Sequence, residues 1–142
     1  MAGSDLLYRY LKVKFGHSDN TELDTILPSD YKEHQPSVIR GTKEVKEFAV
    51  KLKKAFPKQR FEVLDKIYDN DKVAFRYEWH GVHTGQFFDW KPTNKKISTH
   101  GIILAKITDN KIAETWEEWD FAGFAKQLDN YAQESPSHLP SS

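Results

Sequence analysis

The residues with the clearest potential for chemistry lie near the end of the chain, in the stretch ETWEEWD from Glu114 to Asp120. Four carboxylates and two tryptophans share these seven residues. Side chains on a β-strand point alternately to opposite faces, so Ala113, Thr115, Glu117 and Trp119 would share one face. A glutamate between a small residue and an indole suits the wall of a pocket, where it could act as an acid or base toward a bound molecule. The alternative is that Glu117 is a solvated strand residue and that a bulge breaks the alternation.

Asp120 and His83 are the other two catalytic candidates. Asp120 stands directly before the apolar residues of the last predicted helix, where an aspartate caps the helix by accepting backbone N–H bonds. A catalytic role for Asp120 is the alternative. His83 lies between Gly81 and Gly85, where it could donate a proton to a substrate carbonyl or orient it. It could equally fix the following turn by bonding a loop carbonyl.

Seven residues are predicted to contact a substrate. Tyr31 and His34 belong to the segment DYKEHQP; the alternative is a loop whose tyrosine packs in the core. His100 lies on a predicted strand, where it could pair with His83 across the sheet or face water. The other four are large rings, Trp79, Phe87, Trp90 and Trp119. Such rings fill cores, line pockets or form subunit interfaces, and all three uses stay open here.

The histidines are not spaced as a metal site requires. His80 and His83 are three residues apart on a predicted strand, so their side chains point to opposite faces. The chain has no cysteine, which excludes disulfides, thiolate metal sites and a cysteine nucleophile. The sequence therefore predicts no metal.

The charge and the first residues of the chain limit its partners. The 142 residues carry a formal net charge of +0, from 21 basic and 21 acidic side chains. A neutral chain has no overall field to attract nucleic acid or an anionic membrane. The opening segment MAGSDLLYRYLKVKF alternates apolar residues with Arg and Lys, which is typical of neither a signal peptide nor a membrane span. We therefore expect a cytoplasmic protein with no nucleic-acid or membrane partner.

Helical spacing dominates the first part of the chain. Apolar residues predict a first helix around Leu6 to Leu11 and a short second helix that ends at Pro28. A loop through Gln35 and Pro36 follows. The clearest helix begins after Gly41 and ends at Pro57. Its apolar stripe consists of Val45, Phe48, Ala49, Leu52, Ala55 and Phe56.

After this third helix, the spacing of apolar residues changes from the helical period to every second residue, as in a β-strand. The predicted strands are Phe61–Tyr68, Lys72–Thr84, Ile97–Ile107 and Lys111–Trp119. A tight turn at 69–71 joins the first two strands, and another at 109–110 joins the last two. Residues 85–96 are predicted to be a loop. Val73, Phe75, Tyr77 and Trp79 are assigned to one face of the second strand. Ile112, Glu114, Trp116 and Glu118 are assigned to the face opposite Glu117.

The order of these elements indicates the fold. Helices first and antiparallel strands afterwards are typical of an α+β protein. We expect a curved antiparallel sheet that wraps around the N-terminal helices as a cone with an open mouth. The length suits one domain, residues 1–133, followed by a flexible tail over 134–142.

Three segments of the chain carry a family pattern. The segment YEWHGVHTGQFFDWKPTNKKI, residues 77–97, resembles a pattern G-x-H-x-G…P-P-T-G-K. The segment DNKIAETWEEWDFAGFAKQL, residues 109–128, resembles DGKI…W…D…G…RQL, and residues 29–48 are similar to DY..H.P…G.E..K.F. With the helix order, these cover about four fifths of the chain. The chain thus resembles the SnoaL-like polyketide cyclases, or ester cyclases, of the nuclear transport factor two-like superfamily.

The resemblance implies a fold, a cavity and a reaction. The fold would be the cystatin-like, nuclear transport factor two-like cone, commonly a homodimer. The cavity would hold a polyketide ester, with Tyr31 and His34 at its rim, and an acid on the last strand would close a ring by an intramolecular aldol reaction without metal or organic cofactor. That acid aligns with Glu117, where the family has an aspartate. Ile103 stands where a histidine assists in those cyclases, and 89–91 (DWK) replaces the usual glycine and first proline.

Two classes of function follow as hypotheses. The first is a cofactor-free enzyme of cyclase or isomerase type, in which Glu117 transfers a proton on a hydrophobic, carbonyl-bearing molecule. The alternative is a non-catalytic module of the same fold that binds a small molecule or forms a homodimer. The isoleucine at position 103 favours the alternative, because it cannot exchange protons.

Overall fold

The computed structural model of the chain describes residues 2–132. The predicted flexible tail, 134–142, lies outside these residues. The helices are α1 (Ala2–Lys14), α2 (Leu23–Ile26), α3 (Thr42–Ala55) and α4 (Phe121–Ala132), and a 3₁₀ turn (Asn20–Glu22) precedes α2. Within the described part of the chain, no helix is long and apolar enough to cross a membrane.

The sequence determines both ends of α3, the most regular helix. The backbone N–H of Gly41 donates to the Glu44 carboxylate (3.0 Å), which satisfies a group that the helix itself leaves open. The helix ends at Ala55 because Pro57 follows and cannot continue the hydrogen-bond pattern. The buried residues on its apolar side are Val45, Ala49, Leu52 and Ala55.

Six strands form one sheet. They are β1 (Lys32–Gln35), β2 (Val38–Arg40), β3 (Arg60–Asp69), β4 (Lys72–Val82), β5 (Lys96–Thr108) and β6 (Lys111–Trp119). Their order is β2-β1-β6-β5-β4-β3. The strands β3 to β6 form the predicted antiparallel meander. Its tight turns contain Asn70, Asp109 and Asn110, all with positive φ, as two-residue hairpins require.

The prediction of a loop through Gln35 and Pro36 is wrong, because this segment forms the hairpin β1–β2. The strand β1 pairs in parallel with β6, with His34 opposite Trp116. Strands of four and three residues are too short to show alternation, and the partner of β1 is distant in sequence. This added edge makes the sheet mixed rather than purely antiparallel, and it turns Glu33 into the protein interior, where it is 0% exposed.

A bulge in β6 corrects one predicted face. Ala105 pairs with Thr115, but Ile107 pairs with Ile112, so Ala113 is an extra residue. Ile112 is therefore buried on the same side as Thr115, whereas the alternation assigned it to the opposite face. From Thr115 onward the alternation is as predicted.

The helices cover the inner face of the curved sheet. Contacts link α1 to β4 and β6, α2 to β6, and α4 to β5. The shared core includes the inner-face residues of β4, Val73, Phe75, Tyr77 and Trp79, as predicted. The α+β prediction is confirmed, and any side chain on the inner face of β4 or β6 points toward the helices.

Candidate functional site

Glu117 lies on the inner face of β6 and is 2% exposed. Its Oε1 accepts hydrogen bonds from Lys14 Nζ (2.5 Å) and Gln35 Nε2 (2.8 Å). Its Oε2 accepts one from the hydroxyl of Tyr77. The three donors come from α1, β1 and β4, so the carboxylate orientation is fixed by three separate elements.

A second buried carboxylate, Glu33 on β1, shares the lysine. Glu33 Oε2 accepts from Lys14 Nζ and from the Tyr10 hydroxyl, both at 2.8 Å. Glu33 Oε1 accepts from Arg40 Nε, also at 2.8 Å. Lys14, which is 3% exposed, therefore bridges the carboxylates of Glu33 and Glu117.

The charges of Lys14 and Glu33 stabilise each other. Burial alone would raise the pKa of Glu33, but the charges of Lys14 and Arg40 outweigh it and lower that pKa to about 2. Burial alone would lower the pKa of Lys14, but the Glu117 and Glu33 carboxylates outweigh it and raise that pKa above its ordinary value. Removing one partner of such a buried set costs about 3–5 kcal/mol.

A chain of hydroxyls extends the network from Glu33. The Tyr10 hydrogen goes to Glu33, so Tyr31 must donate to the Tyr10 oxygen (2.8 Å). The hydrogen of Tyr31 is then used, and Thr115 must donate to Tyr31 (2.6 Å). Burial is the main cause that raises the pKa values of Tyr10, Tyr31 and Tyr77, so all three hydroxyls remain neutral donors.

A narrow cavity lies against Glu117 and Lys14. Its volume is about 40 Å³, little more than the ~30 Å³ that one water molecule occupies in the liquid. Its apolar lining comes from Phe15, Phe48, Leu52, Trp79, Phe87, Trp119 and Phe124. Its polar lining comes from Lys14, Arg40, Tyr77, Thr99 and Glu117. The cavity is thus apolar on most sides and charged at one end.

A wider cleft of about 320 Å³ lies beside the cavity. Arg40, Phe48, Phe87 and Trp119 line both spaces and therefore separate them; Phe88, Trp90 and Phe121 line the cleft alone. The Trp119 indole donates to Gln35 Oε1 (3.2 Å), and the Arg40 guanidinium lies 4.9 Å from the Phe48 ring centre. A ligand much larger than a water molecule reaches Glu117 only if some of these side chains move.

Several residues predicted from the sequence meet at the cavity. Glu117, Trp79, Phe87 and Trp119 line it directly. Trp90 lines the neighbouring cleft. Tyr31 is buried and reaches the network through Tyr10 and Thr115, without lining the cavity.

The other four predicted residues lie elsewhere. His83 is 0% exposed and stacks on Phe56, with ring centres 5.1 Å apart. Its Nδ1 accepts from the backbone N–H of Thr93 (3.3 Å) and lies 3.1 Å from the Thr93 hydroxyl. Burial lowers the pKa of His83, which favours the neutral ring. Asp120 caps α4 by accepting from the N–H of Gly123 (2.9 Å).

The other two histidines that were predicted to contact a substrate, His34 and His100, lie on the outer face of the sheet. The His34 ring stacks on Trp116, with ring centres 5.1 Å apart, and its Nε2 is 2.5 Å from the Glu114 carboxylate. His100 lies in a surface cleft beside Ile102. In the part of the chain that the structure describes, no three His, Asp or Glu side chains form a group that could hold a metal.

The sequence reasoning missed Lys14, Glu33, Gln35 and Arg40. A signal for Lys14 was present: Leu7, Tyr10, Leu11 and Lys14 have the spacing i, i+3, i+4 and i+7 of one helix face. A lysine in a buried stripe requires an internal partner. No comparable local signal existed for the other three, because they belong to the short strands that went unpredicted.

Comparisons with known proteins agree on the fold. A candidate polyketide cyclase from Acidithiobacillus ferrooxidans superposes with a TM-score of 0.80 at 20% identity, over 92% of this chain and 96% of that one. TsrD from Streptomyces laurentii superposes with a TM-score of 0.78 at 22% identity, over 89% of this chain and 94% of that one. A SnoaL-like polyketide cyclase from Agrobacterium tumefaciens superposes with a TM-score of 0.71 at 20% identity, over 90% of this chain and 98% of that one.

The sequence itself matches a family model. No curated protein is significantly similar to the chain in sequence. The model of the SnoaL-like polyketide cyclases matches residues 5–128, which include every element from the second turn of α1 to the middle of α4. The chain therefore belongs to the SnoaL-like polyketide cyclase family.

Proposed function

We propose that the protein is an enzyme of cyclase or isomerase type in which Glu117 transfers a proton on a carbonyl compound. The observation that carries this proposal is a buried carboxylate at the charged end of an otherwise apolar cavity. A general base must be ionised, fixed in orientation and within reach of the ligand. The Lys14, Gln35 and Tyr77 donors meet the second requirement. The third is met when side chains between the cavity and the outer cleft move to admit the ligand.

The step uses the one lone-pair site of Glu117 that the network leaves free. The two oxygens of a carboxylate offer about four lone-pair sites, and three of those on Glu117 are occupied. The remaining site accepts a proton from the carbon next to a ligand carbonyl, and the C–H electron pair forms an enolate. The enolate carbon then attacks a second carbonyl, which closes a ring, or takes the proton back at another position. The residues require no metal or organic cofactor for this step.

The apolar walls serve the same chemistry. Trp79, Phe87 and Trp119 contact the body of the ligand and exclude water from the charged end, and Trp90 guides it in the outer cleft. Exclusion of water strengthens every electrostatic interaction at Glu117. The ligand that suits this lining is hydrophobic and carries at least one carbonyl group.

The test is exchange of α-protons for deuterium in D₂O, followed by proton NMR with 1-indanone as a simple aryl ketone. The wild-type protein should accelerate the exchange, and Glu117→Gln should abolish the acceleration. Glu118→Gln is the matched control, because Glu118 is the adjacent glutamate and faces outward. Exchange at the same rate in Glu117→Gln and Glu118→Gln would refute the proposal.

The alternative function is binding without chemistry. Ile103 pairs directly with Glu117 across the sheet, so no second ionisable side chain stands at that position to complete an acid–base pair. Native mass spectrometry of the purified protein would detect a retained hydrophobic molecule. Release of that molecule unaltered, together with no exchange activity, would favour a binding module.

We also propose that a second copy of the chain is a partner. Ile102 and Trp116 are 53% and 37% exposed on the outer face of the sheet. Adjacent exposed apolar side chains of this size are typical of contact surfaces. A symmetric dimer through this face would leave the cavity on the opposite face open.

A further inference from the structure

The charges around the cavity are balanced. Lys14 and Arg40 supply two positive charges, and Glu33 and Glu117 supply two negative ones, all joined by hydrogen bonds or ion pairs. An uncompensated charge in such surroundings is costly. A neutral ligand leaves the balance unchanged, whereas an anionic ligand would add one negative charge beside Glu117.

Lys14 occupies the central position in this set. An ammonium group has three N–H donors, and two of them go to Glu33 and Glu117. Lys14 also lines the cavity, so the third donor is available to a ligand there. The same two carboxylates raise the pKa of Lys14, which keeps the ammonium charged.

We propose that Lys14 donates a hydrogen bond to the enolate oxygen that forms when Glu117 removes the α-proton, and that the site therefore accepts neutral carbonyl compounds rather than carboxylates. The inference rests on the proposed function of Glu117 and identifies a further catalytic residue and the charge class of the substrate. The proton leaves carbon and binds a Glu117 oxygen. The C–H electron pair becomes the C=C bond, and the carbonyl π pair moves to the oxygen.

The charge of the site is the same before and after this step. The negative charge leaves the Glu117 carboxylate and appears on the enolate oxygen, and both groups lie next to the Lys14 ammonium. Glu33 remains ionised throughout and holds Lys14 in place while Glu117 is neutral. A donor that is already oriented toward the developing charge needs no rearrangement, which is the main source of electrostatic stabilisation in enzymes.

Arg40 is the competing candidate for this role. Its Nε donates to Glu33 Oε1 and its guanidinium lies over the Phe48 ring, toward the outer cleft. The α-carbon and the carbonyl oxygen are separated by only one atom, so the oxygen must lie close to Glu117. Lys14 Nζ is 2.5 Å from Glu117, whereas no hydrogen bond or ion pair joins Arg40 to Glu117 among the described residues.

The experiment uses 4-nitrophenol as the probe, because its phenolate carries a charged oxygen on a flat ring and absorbs visible light that the phenol does not. Glu117→Gln mimics the protonated glutamate and leaves one positive charge uncompensated. This variant should bind the phenolate at least about tenfold more tightly than the wild type does, and the bound probe should ionise at a lower pH than free probe. Adding Lys14→Met should abolish both effects, whereas adding Lys12→Met, on the same helix, should not.

Folding of the double variant is checked by thermal unfolding. In Lys14→Met with Glu117→Gln, Glu33 keeps Arg40 and Tyr10 as partners. If this protein does not fold, Lys14→Gln in the same background replaces it, with the same expected loss. Tight phenolate binding that survives the loss of Lys14, or no preference for phenolate in Glu117→Gln, including no binding at all, would overturn the role of Lys14.

The ketone exchange assay separates this inference from the function on which it rests. Exchange that depends on Glu117, together with phenolate binding that does not depend on Lys14, overturns the inference alone. Absence of exchange in the wild type overturns the proposed function and, with it, the enolate. Exchange that depends on Glu117, together with phenolate binding that depends on Lys14, supports both.

Discussion

At the scale of residues, the site consists of one carboxylate and the groups that hold it. Glu117 was predictable, because the alternation of ETWEEWD assigns it to an inner face and the bulge lies before that stretch at Ala113. Its partner Lys14 was predictable in principle from its place in an apolar helical stripe. Glu33 was not, because a glutamate in a short polar segment has no pattern that distinguishes burial from exposure.

Glu33 makes the free energy of unfolding depend on pH in the acidic range. Its folded-state pKa, about 2, lies below the ordinary value of 4.5, so its contribution is complete above about pH 4.5 and is lost as the pH falls toward 2. The loss is on the order of 3 kcal/mol, since each unit of pKa shift corresponds to about 1.4 kcal/mol. Urea unfolding at several pH values measures it.

Two variants isolate this effect. Glu33→Gln should flatten the dependence of unfolding free energy on pH in that window, although the variant is less stable overall. Glu22→Gln is the control, because Glu22 forms an exposed ion pair with Arg9 and such pairs contribute little. An equal acid dependence in wild type and Glu33→Gln would contradict the assignment.

At the scale of elements, two features of the sheet place the site. The parallel pairing of β1 with β6 brings Glu33 and Gln35 to Glu117, and the bulge at Ala113 keeps Ile112 and Thr115 on the same side. Neither was predictable from local pattern, because a parallel partner is set by tertiary packing and a bulge changes the period by a single residue. The meander was predictable, since its strands are long and its turns contain Asn and Asp.

The bulge leads to a prediction about deletions in β6. Removing Ala113 should restore regular alternation without changing the face of any later residue, at a cost of about 1–2 kcal/mol. Removing Trp116 should move Glu117 to the outer face and Glu118 to the inner face, at a cost above about 4 kcal/mol. Urea unfolding compares the two, and equal costs would contradict the register.

At the scale of the whole molecule, the order of helices and strands was enough to predict the fold, and the segments 29–48, 77–97 and 109–128 were needed to predict the family. The spacing of apolar residues over many positions identifies the core. Missing the two short strands β1 and β2 therefore did not change the predicted fold class. The size and state of the cavity were not predictable, because they depend on how the rings of Trp119, Phe48 and Phe87 pack against each other. The dimer is also a prediction about the whole molecule.

Sedimentation velocity tests the proposed dimer. The wild type should sediment as a dimer, and Ile102→Glu, which introduces a charge in the centre of the outer face, should sediment as a monomer. Ile67→Glu is the control, because Ile67 is equally large and 68% exposed but lies near the end of β3. A wild-type monomer, or a dimer that tolerates Ile102→Glu, would contradict the proposed interface.

The central claim is that Glu117 moves a proton, and the ratio of two exchange rates tests it most directly. For α-protons of 1-indanone in D₂O, Glu117→Gln should exchange about 100-fold or more slowly than Glu118→Gln, since a positioned base contributes about 10²–10⁴. A cooperative thermal unfolding transition of Glu117→Gln well above the assay temperature would exclude unfolding as the cause, although this variant should be less stable than the wild type. A ratio near one would contradict the claim and leave the family fold with a cavity that binds but does not react.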